Sequence, residues 1–292
     1  MANMKYENWQ WQSMERMNSE FKDKVVLVTG GCRNTGLEIA DRFLREGAEV
    51  FVCGSNDESV ARGREALAAR GHTKFHVIKC DVGQKESVAA MLDEVERTAG
   101  RMDVLVSNAA NFGIGHGETL DMTEEMLFEV LNVNVGGTFR VVQGVAKRFF
   151  MRQERDAYTN QRGVVVCVGS NTSERVSRKR LAYCTSKGGL DSMVRSFATD
   201  FGPLGIRINM VAPGYIRTDR WEWLSEEVKA KRRSNTLTGM EADGQDVAAA
   251  VLFLASSGAR AFQGARIVQD SGSSVQLYPE SCEDDTSTMK MR

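Results

Sequence analysis

The 292-residue sequence has only three histidines, at positions 72, 76 and 116, and no C-x-x-C pair among its six cysteines, at 32, 53, 80, 167, 184 and 282. Histidines so few and so dispersed do not build a metal cage, and scattered cysteines without paired spacing read as reduced thiols, so no metal and no disulfide framework are expected. Long apolar runs are missing too. The longest nearly uncharged one, Val247 to Ala255, falls far short of the ~20 residues a membrane span requires, and Met1 to Glu20 is too polar for a signal peptide. A net charge of −1 gives no electrostatic case for nucleic acid. These exclusions lead to an expectation of a cytoplasmic protein that meets small molecules, with neither membrane nor nucleic acid as partner. What is present is ordinary globular material: 42% hydrophobic and 26% charged residues, enough for a sizeable core.

One stretch concentrates chemistry: Val164 to Lys187, VVVCVGSNTSERVSRKRLAYCTSK. An apolar strand, Val164 to Val168, delivers Ser170 at its C-terminal end, while Tyr183 and Lys187 stand four apart and share one face of a helix. A phenol titrates near pH ~10 when unperturbed, so a tyrosine trading protons near neutrality needs a cation beside it, which Lys187 is placed to supply. A second signal lies near the N-terminus. The strand Val25 to Val28 runs into Thr29-Gly30-Gly31-Cys32-Arg33-Asn34-Thr35-Gly36, followed by an amphipathic helix with Leu37, Ile39, Ala40, Phe43 and Leu44 on its apolar side. Glycines let the backbone turn tightly and approach a pyrophosphate, whose charge meets the helix N-terminus. Strands then alternate with helices to the end of the chain: strands at 49–53, 75–80, 104–107, 206–211 and 265–269, and helices at 58–69, 86–99, from about 123, 183–201 and 246–256. Short connections with right-handed crossovers make this an α/β fold, a doubly wound parallel sheet of Rossmann type in a single domain.

In combination, Ser170, Tyr183, Lys187 and the glycine turn resemble the short-chain dehydrogenase/reductase family, over roughly Phe21 to Ser274. The resemblance implies hydride transfer between a nicotinamide and a carbonyl or secondary alcohol. Tyr183 would move the proton, Ser170 would hold the substrate oxygen, and Lys187 would lower the tyrosine pKa and hold the nicotinamide ribose. Asn134, followed by Val-Gly-Gly, matches the family asparagine that kinks a helix and holds a water behind the lysine, with Asn132 as the fallback. The turn residues Gly30, Arg33, Asn34, Thr35 and Gly36 would bind cofactor, although Asn34 replaces the usual middle glycine of the family pattern. Asp81 and Val82 would meet the adenine, an alternative for Asp81 being a helix cap. Asn108 is the residue retained from the family's N-N-A-G stretch, in which Ser107 and Ala110 replace the first Asn and the Gly; it would brace the strands. Pro213, Gly214, Ile216 and Thr218 resemble the P-G-x-x-x-T stretch that meets the nicotinamide carboxamide. Gly54 stands where an NAD-preferring member carries an aspartate, and Arg33 where NADP-dependent members carry a base; with Ser55 and Asn56 beside them, NADP(H) is expected over NAD(H).

The polar residues Asn171 to Arg175 after Ser170 favour a polar ketone, sugar or polyol over a steroid. Asn171, Tyr215 and Trp221 are candidate substrate residues, the last two within a lid at 215–243, and His116 either borders the pocket or is solvated. Reduction of a 3-oxoacyl thioester is the alternative function, and a non-catalytic dinucleotide sensor a more remote one, having no reason to keep the four site residues. An enoyl-thioester reductase would space its Tyr and Lys more widely, and a sugar-nucleotide epimerase would need a longer C-terminal region. Residues 1–20, with Trp9 and Trp11, read as an extension, and 275–292 as a mobile tail. Asp121 and Glu124 are placed as a capping pair for the helix beginning near Thr123. This helix and the one carrying Tyr183 hold more apolar residues than one buried stripe needs (Phe128, Val141, Val142, Phe149, Phe150, Met193 and Phe197), which predicts a homo-oligomer, tetramer or dimer.

Overall fold

A computed structural model describes residues 20–275, so Trp9, Trp11 and all but the first residue of the tail lie outside the described residues. Seven parallel strands form the central sheet in the order β3-β2-β1-β4-β5-β6-β9, where β1 is Val25–Thr29, β2 Glu49–Gly54, β3 Phe75–Lys79, β4 Val104–Ser107, β5 Gly163–Val168, β6 Ile206–Pro213 and β9 Arg266–Gln269. Every residue of β1, β4, β5 and β6 is buried, because helices cover both faces and leave these strands no solvent side. The alternation of side chains across the pleat splits the interior into two cores. Val25 and Leu27 face a core with the helices Lys85–Ala99, Thr138–Arg148 and Leu181–Phe201, while Val26 and Val28 face one with Asn34–Arg45 and Gly244–Ala255. Chain order reverses between β1 and β4, and a doubly wound sheet opens a crevice at such a point, at the strand C-termini.

Two polar residues inside β6 fix the last crossover. Arg207, 5% exposed, donates to the carbonyls of Leu254 at 2.8 Å and Ser256 at 3.0 Å, placing a cation on the negative end of helix Gly244–Ala255. Burial holds its guanidinium down to about 10. Asn209 donates to Phe262 O and accepts from Ala265 N–H, both at 2.9 Å, which sets the register of the chain entering β9.

The helix expected from about 123 is divided into Glu124–Leu131, a wider π-helical turn Asn132–Gly137, and Thr138–Arg148. Its N-cap is Thr123, whose hydroxyl accepts from Met126 N–H; Asp121 sits in the preceding 3-10 turn, so the expected Asp121–Glu124 capping pair is not formed. The expected surplus of apolar residues also largely disappears. Val141, Val142, Phe149, Phe150 and Phe197 are all buried within the single chain, in the core that the strands share with helices Lys85–Ala99, Thr138–Arg148 and Leu181–Phe201. Phe128 remains outside, 55% exposed. Segment 215–243 folds as a small appendage: β7 (Ile216–Arg217) pairs in parallel with β8 (Ala242–Asp243), enclosing a 3-10 turn, Asp219–Trp223, and a helix, Glu226–Arg233.

Candidate active site

The glycine turn and β4 are locked together at the crevice floor. Thr29 Oγ1 accepts from the N–H groups of Asn108 at 3.0 Å and Ala109 at 3.1 Å, and Asn108 Nδ2 returns hydrogen bonds to Thr29 O at 2.9 Å and Gly30 O at 3.2 Å. Asn108 thereby ties the end of β4 to the turn that follows β1. Gly36 has no alternative, since a Cβ there would lie 2.2 Å from Gly30 O. Asn34 adopts φ +48°, a conformation asparagine tolerates better than most residues, and its Oδ1 accepts from Asp219 N–H at 3.3 Å. The side chain at the middle-glycine position therefore ties the turn to the 215–243 appendage, a contact no glycine could make. Helix Asn34–Arg45 starts with no side-chain cap from Arg33 and no acidic residue in its first turn. Its amide groups and the positive end of its dipole are open to an anion, which fits a dinucleotide pyrophosphate.

At the adenosine side, β2 ends in Gly54, and a Cβ there would meet Ser59 Oγ at 2.3 Å and Cys32 Sγ at 3.1 Å. Asn56 caps helix Asp57–Ala69, its Oδ1 accepting from Ser59 N–H at 2.8 Å, so its amide oxygen is committed to structure. Arg33 and Ser55 are exposed beside it. Asp81 accepts from Gly83 N–H at 2.9 Å through Oδ1, and its own N–H donates to Ser87 Oγ at 3.0 Å; Gln84, not Asp81, precedes the helix. Val82 is buried against Gly137 of the π-helical turn, where a Cβ would come within 2.7 Å of it.

On the opposite side of the crevice, Ser170 follows β5 and Tyr183 and Lys187 lie on helix Leu181–Phe201. Ser170 Oγ accepts from Thr172 N–H at 3.2 Å and from Thr172 Oγ1 at 2.8 Å. A hydroxyl has two acceptor sites and one proton, so Ser170 is left with a donor, and it is hydrogen-bonded to the Tyr183 phenol. Lys187, 3% exposed, donates from Nζ to Val168 O at 3.0 Å and stands 5.7 Å from the Tyr183 ring centroid. Burial lowers its pKa from 10.5 to about 8. The expected lowering of the tyrosine is reversed in this geometry: burial pushes Tyr183 above 10, and the opposing pull comes from the Ser170 hydrogen bond and the charge of Arg180 rather than from Lys187. A lysine whose own charge is disfavoured, and which faces the ring instead of the oxygen, acidifies a phenol weakly.

Asn134 is 1% exposed and fully engaged: Oδ1 accepts from Asn111 N–H at 2.6 Å, and Nδ2 donates to Asn111 O at 3.0 Å and Ser186 Oγ at 2.9 Å. It joins the kinked helix to the helix of Tyr183 and Lys187. Asn132 points elsewhere, to Gly83 O at 3.1 Å and Arg140 at 2.6 Å.

Of the expected substrate residues, Asn171 is drawn into the fold, donating to Asp270 Oδ2 at 3.1 Å and Ser273 Oγ at 3.3 Å. Asp270 lies directly behind Gly214, where a Cβ would meet its Cβ at 2.5 Å, and Gly214 N–H donates to Gln269 O at 3.0 Å, so Pro213 and Gly214 are fixed from the back by β9. Tyr215 and Trp221 both receive the Arg232 guanidinium, at 5.4 and 5.3 Å from their ring centroids. Thr218 opens the 3-10 turn, and with Asn34, Thr35, Arg217, Trp221 and Gly244 it borders a cavity of about 330 Å³ beside the glycine turn. His116 is exposed and held on Phe112 O. Sequence reasoning did not find Arg180 or Arg232, since an arginine in a polar loop or a polar helix carries no spacing signal.

A family model described as enoyl-(acyl carrier protein) reductase matches residues 31–274. The chain belongs to the short-chain dehydrogenase/reductase family. It is 34% identical over 253 residues to the 3-oxoacyl-[acyl-carrier-protein] reductase MabA of Mycobacterium avium, covering 86% of this chain and 90% of that protein. The 3-oxoacyl-[acyl-carrier-protein] reductase FabG of Haemophilus influenzae is 30% identical over 250 residues, 85% of this chain and 97% of the relative. Among solved structures, a dehydrogenase/reductase from Sinorhizobium meliloti 1021 superposes with a TM-score of 0.77 at 27% identity, covering 89% of this chain and 99% of that one. As a member of this family the protein is an oxidoreductase acting on C=O or CH–OH groups. Among the described residues no helix is long and apolar enough to cross a membrane.

Proposed function

We propose that the protein interconverts the carbonyl and secondary alcohol of a small polar substrate, a ketone, sugar or polyol, with NADP(H) preferred over NAD(H). The observation that carries this reading is the meeting of Ser170, Tyr183 and Lys187 at the C-terminal edge of β5, across the crevice from a glycine turn that leaves a helix N-terminus open to an anion. A bound reduced nicotinamide supplies the hydride that the carbonyl carbon accepts, or in its oxidised form takes it from the alcohol carbon. Tyr183 gives its phenolic proton to the carbonyl oxygen as charge develops there, and burial favours the protonated phenol that this step starts from. Ser170, with Thr172 filling both acceptor sites, donates to the same oxygen and fixes its position. Lys187 keeps two protons beyond the one given to Val168 O, available to ribose hydroxyls, and Asn134 holds its helix against the kinked one. Gly30, Thr35 and Gly36 would hold the pyrophosphate, Asp81 and Val82 the adenine, and Gly214, Ile216 and Thr218 the nicotinamide. The exposed Arg33 and Ser55, with no carboxylate at Gly54, support a 2′-phosphate.

The names of the two reductase relatives favour one second reading, a 3-oxoacyl thioester as substrate. The location proposed is cytoplasmic and the assembly a homodimer or homotetramer. The test is NADPH and NADH oxidation against ketones, sugars and 3-oxoacyl thioesters, run beside Tyr183→Phe. That variant should bind nucleotide normally and turn over at least ~10²-fold more slowly, the scale of a lost general acid. Wild-type turnover in Tyr183→Phe removes the tyrosine from the reaction, and a preference for NADH in kcat/KM removes Arg33 from the cofactor site.

A further inference from the structure

The wall beside Tyr183 carries a cation that the reaction itself does not account for. Arg180 occupies the N-cap position of the 21-residue helix Leu181–Phe201, one turn before Tyr183, and is half-buried. That is the wrong end for a cation, since the helix dipole is positive there, and the first turn holds no acidic residue to offset it. Three nearby charges are matched: Lys179 with Glu118 at 2.5 Å, Arg266 with Glu174 at 2.9 Å, and Asp270 with Asn171 and Ser273. Arg180 and Arg178 have no hydrogen-bond or ion-pair partner among the described residues, and of the two Arg178 is exposed while Arg180 is half-buried. Nor is its position loose. Gly117 N–H donates to Lys179 O at 3.1 Å, and Gly115 packs so closely on Ala182 that a Cβ would meet Ala182 Cβ at 2.9 Å, so loop 111–118 clasps the chain on both sides of Arg180. Arg180 stands three residues before Tyr183 at the start of the same helix, a spacing at which side chains are neighbours, and its charge opposes the rise of the Tyr183 pKa. A half-buried guanidinium with no protein partner among the described residues keeps its planar fork of N–H donors available for a two-point contact with an arriving anion.

We infer that Arg180 is the anchor for an anionic group on the substrate, so that the carbonyl compound turned over at Tyr183 carries a carboxylate or phosphate a few bonds from its reacting carbon. This rests on the proposed function and names the substrate class of the same site. Acetoacetate and dihydroxyacetone phosphate are the anionic probes, with methyl acetoacetate and dihydroxyacetone as their neutral counterparts. Wild type should favour one anionic probe over its neutral counterpart by at least tenfold in kcat/KM, the probe showing which anion is taken. Arg180→Gln should reduce that ratio by at least tenfold, and Arg180→Lys should restore part of it. A wild-type ratio near one, or a ratio unchanged in Arg180→Gln, overturns the inference while leaving the oxidoreductase reading intact. If none of the four probes is turned over with either nucleotide, the proposed substrate range fails. Calorimetric titration of the NADP-loaded protein with acetoacetate then decides Arg180 separately: binding lost in Arg180→Gln supports the anchor, and no difference between the two proteins overturns it.

Discussion

Lys187 shows what a functional residue costs the fold that carries it. Among the described residues its buried ammonium has one carbonyl partner, Val168 O, and no carboxylate, and burial takes its pKa from 10.5 to about 8. At ~1.36 kcal/mol per pKa unit, keeping it charged at pH 7 costs about 3 kcal/mol of stability. The direction follows from proton counting. Between pH 8 and 10.5 the unfolded chain holds the proton more firmly than the folded one, so this lysine's contribution to stability rises with pH across that window; below pH 8 the penalty is present in full. Lys187→Met should therefore be more stable than wild type at pH 7, by about 1–2 kcal/mol once the lost partner of Val168 O is deducted, while losing turnover. The stability difference should close toward pH 10. Thermal unfolding at pH 7 and pH 10 checks both statements, and a Met variant that melts below wild type at pH 7 would show that the charge is better solvated than its burial implies.

At the scale of elements, the junction of β2 with helix Asp57–Ala69 couples cofactor choice to stability. Introducing a ribose-binding carboxylate as Gly54→Asp looks simple from the sequence, but the new Cβ would stand 2.3 Å from Ser59 Oγ, and Ser59 is half of the capping box with Asn56. The substitution should cost about 1–3 kcal/mol through the disturbed cap and the crowded Cys32. Combined with Arg33→Ala it should still move the kcat/KM preference toward NADH; urea unfolding measures the first effect and steady-state kinetics the second, and an Asp variant as stable as wild type would mean that the turn relaxes freely. The contrast also shows what a sequence discloses. The strand–helix alternation and the Tyr183–Lys187 face were legible because period and spacing are local properties, and β1, β4 and β5 lie within a residue of their expected positions. Long-range partners were not legible. That Asn34 would reach Asp219, that Asn171 would turn away to Asp270, and that Arg232 would lie over Tyr215 and Trp221 depend on which loops the sheet brings together. The β7–β8 pair escaped for the same reason, since two-residue strands have no period to detect.

For the whole molecule, the remaining question is what covers the outer side of the kinked helix and its neighbour. Five of the residues first counted as surplus are core, so the case for assembly now rests on fewer side chains. Phe128 is 55% exposed and Phe139 43%, and Phe139 stacks at 6.1 Å on Phe197, which in turn lies 5.3 Å from Phe201. Phe197 and Phe201 belong to the helix of Tyr183 and Lys187, so an aromatic row runs from the outer face of one helix to the back of the other. A second copy meeting the first across a two-fold axis would place Phe139 and Phe128 of both chains under cover and would stiffen the helix that positions the phenol. The expected species in solution is therefore a multiple of the 32.3 kDa chain. Phe139→Glu should bring two charges into that contact, shift the mass toward one chain and lower activity together with it. Light scattering coupled to gel filtration, with the eluted fractions assayed, decides the matter: wild type eluting at one chain mass at micromolar concentration with full turnover would mean that Phe128 and Phe139 face water and that the site is complete within a single subunit.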